Sequence, residues 1–287
     1  MIMMKRVSTS GILAFLRQYK KNRGAAFGLV LILIFLIFAI FANIISPYDP
    51  LDIAVGPPLQ APDAKYFMGT DDLGRDVFSQ FFFGARLSII VGLLAALTAT
   101  AVGLMVGSIA GYFGGLIDEL LMRLSEIFLV IPAFFLALVL LTIYGSSVWL
   151  VIIVIGGLSW PPVARIIRAE FLSFKEREFV ESARVIGVSK FNIIIREIMP
   201  NALPPAIVSA TLVVGIAILA EASLSFLGLT DPSAVSWGQL LFRAQQYLRT
   251  AWWLFVFPGL GIFCTVLGIN LVGDGLNDVL NPKLKER

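Results

Sequence analysis

Few residues in this chain could carry out covalent chemistry. The 287 residues include no histidine, and Cys264 is the only cysteine. Histidine supplies the commonest general base and metal ligand, and it activates serine and cysteine nucleophiles. A single cysteine forms neither a disulfide nor a Cys-based metal site within one chain. The sequence therefore argues against an intramembrane hydrolase, for which it also offers no paired intramembrane carboxylates.

The sequence also lacks the usual nucleotide and hydrolase motifs. No Gly-Lys-Ser or Gly-Lys-Thr occurs, so no phosphate-binding loop of the GxxxxGK[ST] kind is present. A GxSxG nucleophile elbow is absent as well. We expect no cofactor or metal in this chain and no enzyme activity of its own. If ATP drives its function, other chains bind and hydrolyse that ATP.

Three ionisable residues lie within apolar runs. Glu221 is deep in one run, where an acid normally faces a water-filled cavity or a polar partner. It is therefore a candidate for a translocation path that accepts cationic cargo, or it bonds to a neighbouring helix; both alternatives stay open. Arg123 and Glu126 are three residues apart in another run and can pair on one helix face, most simply as a structural pair.

The composition indicates which elements hold these residues. Apolar residues make up 58% of the chain and charged residues 14%, and the mean hydropathy is +0.90. Soluble domains average about 45–50% apolar and about 25% charged residues. Six apolar runs approach or exceed the roughly 20 residues that a membrane-spanning helix needs. The predicted spans are Ala25–Ile45, Leu87–Ala110, Leu120–Tyr144, Val148–Arg165 with a kink at Pro161-Pro162, Leu203–Leu227 and Trp252–Val272.

The positive charges predict the orientation. Lys and Arg are concentrated before the first span, between the fourth and fifth spans, and at the C-terminus. With six spans these three segments share one side, and the positive side is cytoplasmic. We therefore expect a multi-pass protein of the cytoplasmic membrane, surrounded by lipid, with both termini inside and without a nucleic-acid partner.

Five segments follow from this topology. Residues 1–24 are a cytoplasmic amphipathic segment that predicts an interfacial helix, with a disordered basic tail as the alternative. Residues 25–46 are the first span, and a cleaved signal peptide is disfavoured because the run is too long. Residues 47–86 are an extracytoplasmic segment rich in Pro, Asp and Gly. Residues 87–275 are the transmembrane core, and residues 276–287 are a cytoplasmic tail.

The loop between the fourth and fifth spans predicts a helical hairpin. Phe179, Val180, Ala183 and Ile186 recur at helical spacing and give an apolar stripe. Gly187 then supplies a helix stop, and Ser189 can cap the next helix. An apolar stripe that faces the cytosol suits a partner groove. The alternative is a hairpin that folds onto its own transmembrane helices.

A second small-residue pattern marks the second span. Gly103, Gly107, Gly111 and Gly115 recur every fourth residue, a spacing that lets transmembrane backbones approach closely. This predicts either a helix crossing at a pore or, slightly favoured, tight packing within one subunit.

The hairpin resembles the EAA loop of binding-protein-dependent ABC permeases. Glu181-Ser182-Ala183, three residues, Gly187 and then Ile198-Met199-Pro200 match its pattern, with Ser and Met as small departures. Further stretches resemble the dipeptide, oligopeptide and nickel branch, closest to the DppC or OppC type: Gly69–Val77, Gly111–Gly115, Leu224–Leu229, Ser236–Gly238, Gly273–Leu276 and Asn281–Leu284. The resemblance covers the chain from about Tyr19 to Leu284.

The resemblance implies an all-α type I ABC importer permease with a coupling loop at 170–200. Its implied partners are a second, homologous permease chain in a heterodimer, two cytoplasmic ATPases that hold ATP and Mg²⁺, and an extracytoplasmic substrate-binding protein. Glu181, Ser182, Ala183, Gly187 and Pro200 would couple to the ATPases. From the residues themselves, Ala183 is small enough for close approach by a partner, Glu181 offers a carboxylate, and Gly187 sets the bend.

The resemblance implies that the cargo is dipeptides or oligopeptides. A nickel importer permease remains an alternative, weakened by the absence of histidine, since nickel favours imidazole ligands. A stand-alone channel or secondary transporter is a further alternative, but it would leave the helix–Gly–helix loop unexplained.

Overall fold

The computed structural model describes Tyr19 and residues 22–280. The last seven residues lie outside the described part, and so does nearly all of the predicted interfacial helix. Helix α1 spans Arg23–Ile40 and begins at Asn22, whose side chain accepts a hydrogen bond from the Ala25 amide. A short helix α2, Ala42–Ile45, follows it. The described part is mostly helical and contains one isolated antiparallel bridge, between Thr70 and Asp76.

Helix α3, Val77–Phe113, begins about ten residues earlier than the sequence pattern predicts. Asp76 caps it by accepting a hydrogen bond from the Ser79 amide at 2.8 Å. Its first turns also bury apolar side chains, including Phe81 and Phe82. Capping and burial together extend the helix into the segment that was expected to be an extracytoplasmic loop up to residue 86.

The predicted third span is broken into two helices. Helix α4 spans Gly115–Val130 and helix α5 spans Ala133–Tyr144, and they meet at an angle of 82°. The cause is Pro132, because the residue before a proline is pushed out of the helical region. Ile131 has φ −78° and ψ 122°, which is extended backbone.

The next predicted span is longer than expected and is interrupted at Ser159. Helix α6 spans Val148–Leu158, and helix α7 spans Trp160–Phe174 with two prolines in its first turn. Because proline is tolerated in a first helical turn, the prolines begin α7 and do not kink the middle of a continuous helix.

The remaining elements complete the chain. Helix α8 spans Glu178–Val185 and helix α9 spans Lys190–Asn192; a π-helical stretch, Ile193–Ile198, leads into helix α10, Met199–Phe226. Helix α11 spans Trp237–Ala244, a 3-10 turn follows at Gln245–Tyr247, and helix α12 spans Trp253–Leu280. Helix α12 runs past Val272, so the first residues of the predicted tail are helical.

Within the described residues, five helical segments are long and apolar enough to cross a membrane, and the bent pair α4–α5 makes a sixth if it counts as one span. Helix α3 lies at the centre and contacts α1, α6, α7 and α10. An all-α membrane fold of about six spans is therefore confirmed.

The glycine repeat of α3 packs against α7. A Cβ at Gly103 would lie 2.6 Å from Val163 Cβ, and one at Gly111 would lie 2.5 Å from Phe171 Cβ. A Cβ at Gly107 would collide with the carbonyl oxygen of Ala164. The repeat therefore provides close packing within this chain. Gly115 does not share in it: it has φ +54° and open space around its Cβ position.

We expect Gly107→Ala to lower the thermal midpoint of the purified protein, because the added methyl group would collide with the α7 backbone. Overpacking of this kind costs about 1–3 kcal/mol. The matched control is Gly157→Ala, since no atom lies within 4 Å of a Cβ at Gly157. Equal thermal midpoints for the two variants would contradict the close α3–α7 crossing.

The motif at 69–77 forms a compact turn at the start of α3. Arg75 Nε donates to Asp71 Oδ2 at 2.6 Å, and Gln80 Nε2 donates to the same oxygen at 2.9 Å. Gly74 has φ +70° and lies so close to Gly56 O that no side chain fits. The buried ion pair and the glycine turn hold the segment before α3 against the end of the helix bundle.

Candidate functional site

The hairpin begins with helix α8, which ends at a glycine as the sequence predicts. Gly187 has φ +80°, a conformation that L side chains rarely adopt. The Val188 amide donates to Ala183 O at 3.0 Å, and the Gly187 amide donates to Arg184 O at 3.1 Å. These two bonds form a Schellman motif, which satisfies the last carbonyl groups of the helix.

The second arm of the hairpin begins at Ser189. The Asn192 amide donates to Ser189 Oγ at 3.4 Å, which caps helix α9. The chain then passes through the π-helical stretch into α10 without a break, and Pro200 lies in the first turn of that helix. The hairpin is therefore joined directly to a membrane-spanning helix.

The inner face of the hairpin is buried against its own helices. Val180 and Ala183 of α8 pack with Ile193, Ile194 and Ile198 of the second arm. The same cluster contains apolar residues of α7, namely Val163, Ile167 and Phe171. The interpretation of a hairpin that folds onto its own transmembrane helices therefore holds for this face.

The expected role of Ala183 needs correction. Ala183 is 7% exposed and lies inside the hairpin, so it does not face a partner. Its small size instead lets the two arms approach each other. The residues of the predicted apolar stripe also do not all lie on one face. Ile186 lies about 120° around the helix from Val180, since successive residues are 100° apart. Ile186 therefore faces solvent while Val180 is buried.

The outer surface of the hairpin carries an apolar patch, which we call the hairpin tip: Val185, Ile186 and Phe191. Their exposed fractions are 87%, 78% and 71%. The helical spacing indicated Ile186 but not the other two, although Val185 and Phe191 are large apolar residues near the Gly187 turn. Clustered apolar side chains of this size on an exposed turn favour a protein partner.

The other candidate coupling residues lie around this tip. Glu181 is exposed on α8, and exposed Ser182 donates from its hydroxyl group to Glu178 O at 2.8 Å. Arg184 Nη2 donates to Lys175 O at 3.2 Å, which ties α8 to the end of α7. Glu181 is therefore available to a partner, whereas the Ser182 hydroxyl bonds within its own helix.

Glu221 lies in a buried polar cluster between helices. It is 2% exposed, and Ser225 Oγ donates to its Oε1 at 2.6 Å. Ser88 Oγ of α3 donates to its Oε2 at 3.3 Å, and Ser88 Oγ accepts a bond from the Trp237 amide. Of the two sequence-based interpretations, the geometry supports the bond to a neighbouring helix; the translocation role stays a prediction.

Two ion pairs belong to α4. Arg123 Nη1 lies 3.5 Å from Glu126 Oε2, as the three-residue spacing predicts. Asp118 receives two bonds from Arg168 of α7, at 2.5 Å from Nε and 2.6 Å from Nη2. The sequence offered no signal for this second pair, because its partners are 50 positions apart and on different helices.

Among the described residues, no group of three or more His, Cys, Asp or Glu side chains is placed to hold a metal ion. The two features that could serve a function are therefore the hairpin tip and the charged groups of the transmembrane helices.

Comparison with known families gives two matches. The model for the binding-protein-dependent transport system inner membrane component matches residues 103–286. The model for the N-terminal TM domain of oligopeptide transport permease C matches residues 13–62. The first match contains the hairpin, and the second contains helices α1 and α2.

Several curated proteins are similar over nearly the whole chain. The dipeptide transport system permease protein DppC of Alkalihalophilus pseudofirmus is 40% identical, and the match covers 94% of this chain and 89% of that protein. The di/tripeptide transport system permease protein DppC of Pseudomonas aeruginosa is 37% identical, with 97% and 94% covered. The DppC protein of Haemophilus influenzae is 38% identical, with 93% of each covered.

A solved structure has the same fold. One chain of the MetNI methionine ABC transporter in an inward-facing conformation aligns with a TM-score of 0.55 at 19% identity. The alignment covers 68% of this chain and 94% of that chain.

Proposed function

Because this chain belongs to the family of binding-protein-dependent transport system inner membrane components, we propose that it carries dipeptides and short peptides across the cytoplasmic membrane. It is a multi-pass ABC importer permease subunit. The peptide cargo is supported by relatives named as dipeptide or di/tripeptide permeases.

The proposed mechanism is inferred mainly from the exposed hairpin tip. Its three apolar side chains are exposed, while the inner face of the same hairpin is anchored on α7 and α10. A partner that binds the tip can therefore move two membrane-spanning helices together. In the proposed complex, each ATPase binds a hairpin, and ATP-driven closure of the ATPases switches the path between inward-open and outward-open states.

The proposed assembly contains four further chains. A second, homologous permease completes the path, two ATPases bind ATP and Mg²⁺, and a substrate-binding protein delivers the cargo from outside. ATP hydrolysis takes place in the ATPase chains. Glu181 lies exposed beside the tip and can contact a basic group or a backbone amide of the ATPase.

Nickel is the alternative cargo, and it is not favoured. The relatives reported above carry peptide names, and this chain has no histidine to ligate nickel in the path. No observation in the structure supports it independently.

The cargo is tested by uptake into proteoliposomes that contain this chain with its second permease, both ATPases and the binding protein. We expect ATP-dependent uptake of a labelled dipeptide that non-hydrolysable ATP analogues do not support. Uptake of Ni²⁺ without dipeptide uptake would overturn the peptide proposal. Equal dipeptide uptake without the ATPase chains would overturn the ABC mechanism.

The proposed orientation is tested by labelling of single cysteines in a Cys264→Ala background. We expect Lys190→Cys to react with a membrane-impermeant thiol reagent from the cytoplasmic side only, because Lys190 lies on the hairpin. The matched control is Lys65→Cys, expected to react from outside only. Labelling of Lys190→Cys in intact cells would overturn the topology.

A further inference from the structure

Helix α4 carries a charged stripe whose purpose the coupling hairpin does not explain. Glu119, Arg123 and Glu126 follow the spacing i, i+4 and i+7, so their side chains share one helix face. All three are exposed, and Arg123 and Glu126 have side chains that are 70% and 60% exposed. No other part of the described chain covers this stripe.

The contacts of α4 with α7 show how deep the stripe lies. Near its start, Asp118 bonds to Arg168; near its end, the Phe128 ring packs 5.5 Å from the Trp160 ring. The two helices therefore run antiparallel, side by side, for about 15 Å. Arg123 and Glu126 lie between these two contacts, at the level of the α7 segment between Trp160 and Arg168.

That segment belongs to a membrane-spanning element. Helices α6 and α7 together form a candidate span of 27 residues, Val148–Phe174. At 1.5 Å per residue it is about 40 Å long, longer than the roughly 30 Å hydrocarbon core. Trp160 lies near its middle, so the level of Glu126 falls inside the membrane, in the half that also contains the hairpin.

The neighbouring exposed face of α4 is apolar. Leu120, Leu124 and Ile127 follow the same spacing one residue later, rotated by about 100°. Their side chains are exposed and suit lipid or a second permease chain. A charged group in hydrocarbon costs about 2.5–3.5 kcal/mol even on lenient scales, so the charged stripe does not face lipid. Helix α4 therefore separates an apolar environment from a polar one.

We propose that Glu119, Arg123 and Glu126 line the water-filled inner half of the translocation path and contact the charged termini and side chains of the passing peptide. This inference rests on the proposed permease function. Carboxylates and a guanidinium alternate along the stripe, so it offers partners both to the ammonium and to the carboxylate group of a peptide. The break at Pro132 ends the stripe where α5 turns away.

The accessibility test uses the complete transporter in proteoliposomes, with single cysteines in a Cys264→Ala background. Cysteines replace Glu119, Arg123 and Glu126 in one set and Leu120, Leu124 and Ile127 in the matched set. A hydrophilic thiol reagent is applied from the cytoplasmic side. We expect the first set to react about tenfold faster than the second, because only a water-filled path admits the reagent at this depth.

Labelling in two nucleotide states distinguishes a stripe that faces the path from one that faces the bulk cytosol. Vanadate trapping is expected to close the inner half of the path and to slow the reaction of the first set. Reaction at an unchanged rate after trapping would mean that the stripe faces open cytosol, and failure of the first set to react in either state would mean that a second chain covers it. Either result overturns the proposal.

A charge test adds a functional measurement. Glu126→Gln is expected to reduce uptake of a basic dipeptide severalfold relative to a neutral one, whereas Leu124→Ala should leave this ratio unchanged. A wild-type ratio in Glu126→Gln contradicts contact with the cargo. ATP-dependent dipeptide uptake by the Cys264→Ala parent is the reference: its absence would overturn the proposed function itself, whereas its presence limits a negative result to the stripe.

Discussion

The variant Ile186→Glu is expected to abolish ATP-driven uptake while the chain stays folded and inserted. Ile186 is 78% exposed and lies at the end of α8, outside the buried cluster of the hairpin. A glutamate there meets water in the free permease and disturbs no internal contact. In the docked complex the same carboxylate would be buried in an apolar groove of the ATPase.

The size of the effect follows from the lost burial. Burying an isoleucine side chain contributes about 1.5–3 kcal/mol, and 1.4 kcal/mol is a tenfold change in affinity. The loss of this contact alone would weaken ATPase binding by roughly 10- to 100-fold, and desolvation of the new charge adds to it. Pull-down of the ATPases and dipeptide uptake by the same membranes measure both consequences.

A control on the same helix makes this test specific. Glu178→Gln changes another exposed side chain of α8 but leaves the tip intact, so it should bind the ATPases and transport normally. Ile186→Glu must also co-purify with the second permease, which shows that the chain is assembled. Normal ATPase binding together with normal uptake in an assembled Ile186→Glu complex would contradict the role of the hairpin tip.

Features that depend on neighbouring residues in the sequence were predictable. The helix stop at Gly187 follows from glycine's access to positive φ, and the cap at Ser189 follows from a side-chain oxygen near free amides. The Arg123–Glu126 pair follows from helical spacing. The break at Pro132 was also predictable, since proline disfavours a helical backbone conformation at the preceding residue. The continuous apolar run around Pro132 obscured that signal.

Features that depend on packing between helices were not predictable. Ala183 belongs to an apolar pattern that suits a partner as well as its own second arm, and only the fold of the hairpin distinguishes the two. The Asp118–Arg168 pair joins helices whose register the sequence does not reveal. The partners of Glu221 come from α3, from its own helix and from Ser236, which caps α11, so its burial became visible only in the assembled bundle.

Replacement of Glu221 by leucine is expected to destabilise the protein more than replacement by glutamine. In Glu221→Leu, Ser225 Oγ and Ser88 Oγ lose their shared acceptor inside the bundle. Buried polar groups left without a partner cost about 1–3 kcal/mol. A loss of that size lowers the thermal midpoint by several degrees, at about 2–4 °C per kcal/mol for a chain of this class. Thermal unfolding of the purified complexes measures the difference.

The glutamine variant separates the structural role from a role in the path. Glu221→Gln keeps an oxygen that accepts from Ser225, and it places an amide donor near Ser88 where the second carboxyl oxygen was. If Glu221 only joins helices, this variant keeps nearly the wild-type midpoint and takes up basic and neutral dipeptides in the wild-type ratio. The 2% exposure of Glu221 and its bonds to two serines favour that outcome. A selective loss of basic dipeptide uptake in Glu221→Gln, with normal stability, would instead place this carboxyl group in the path.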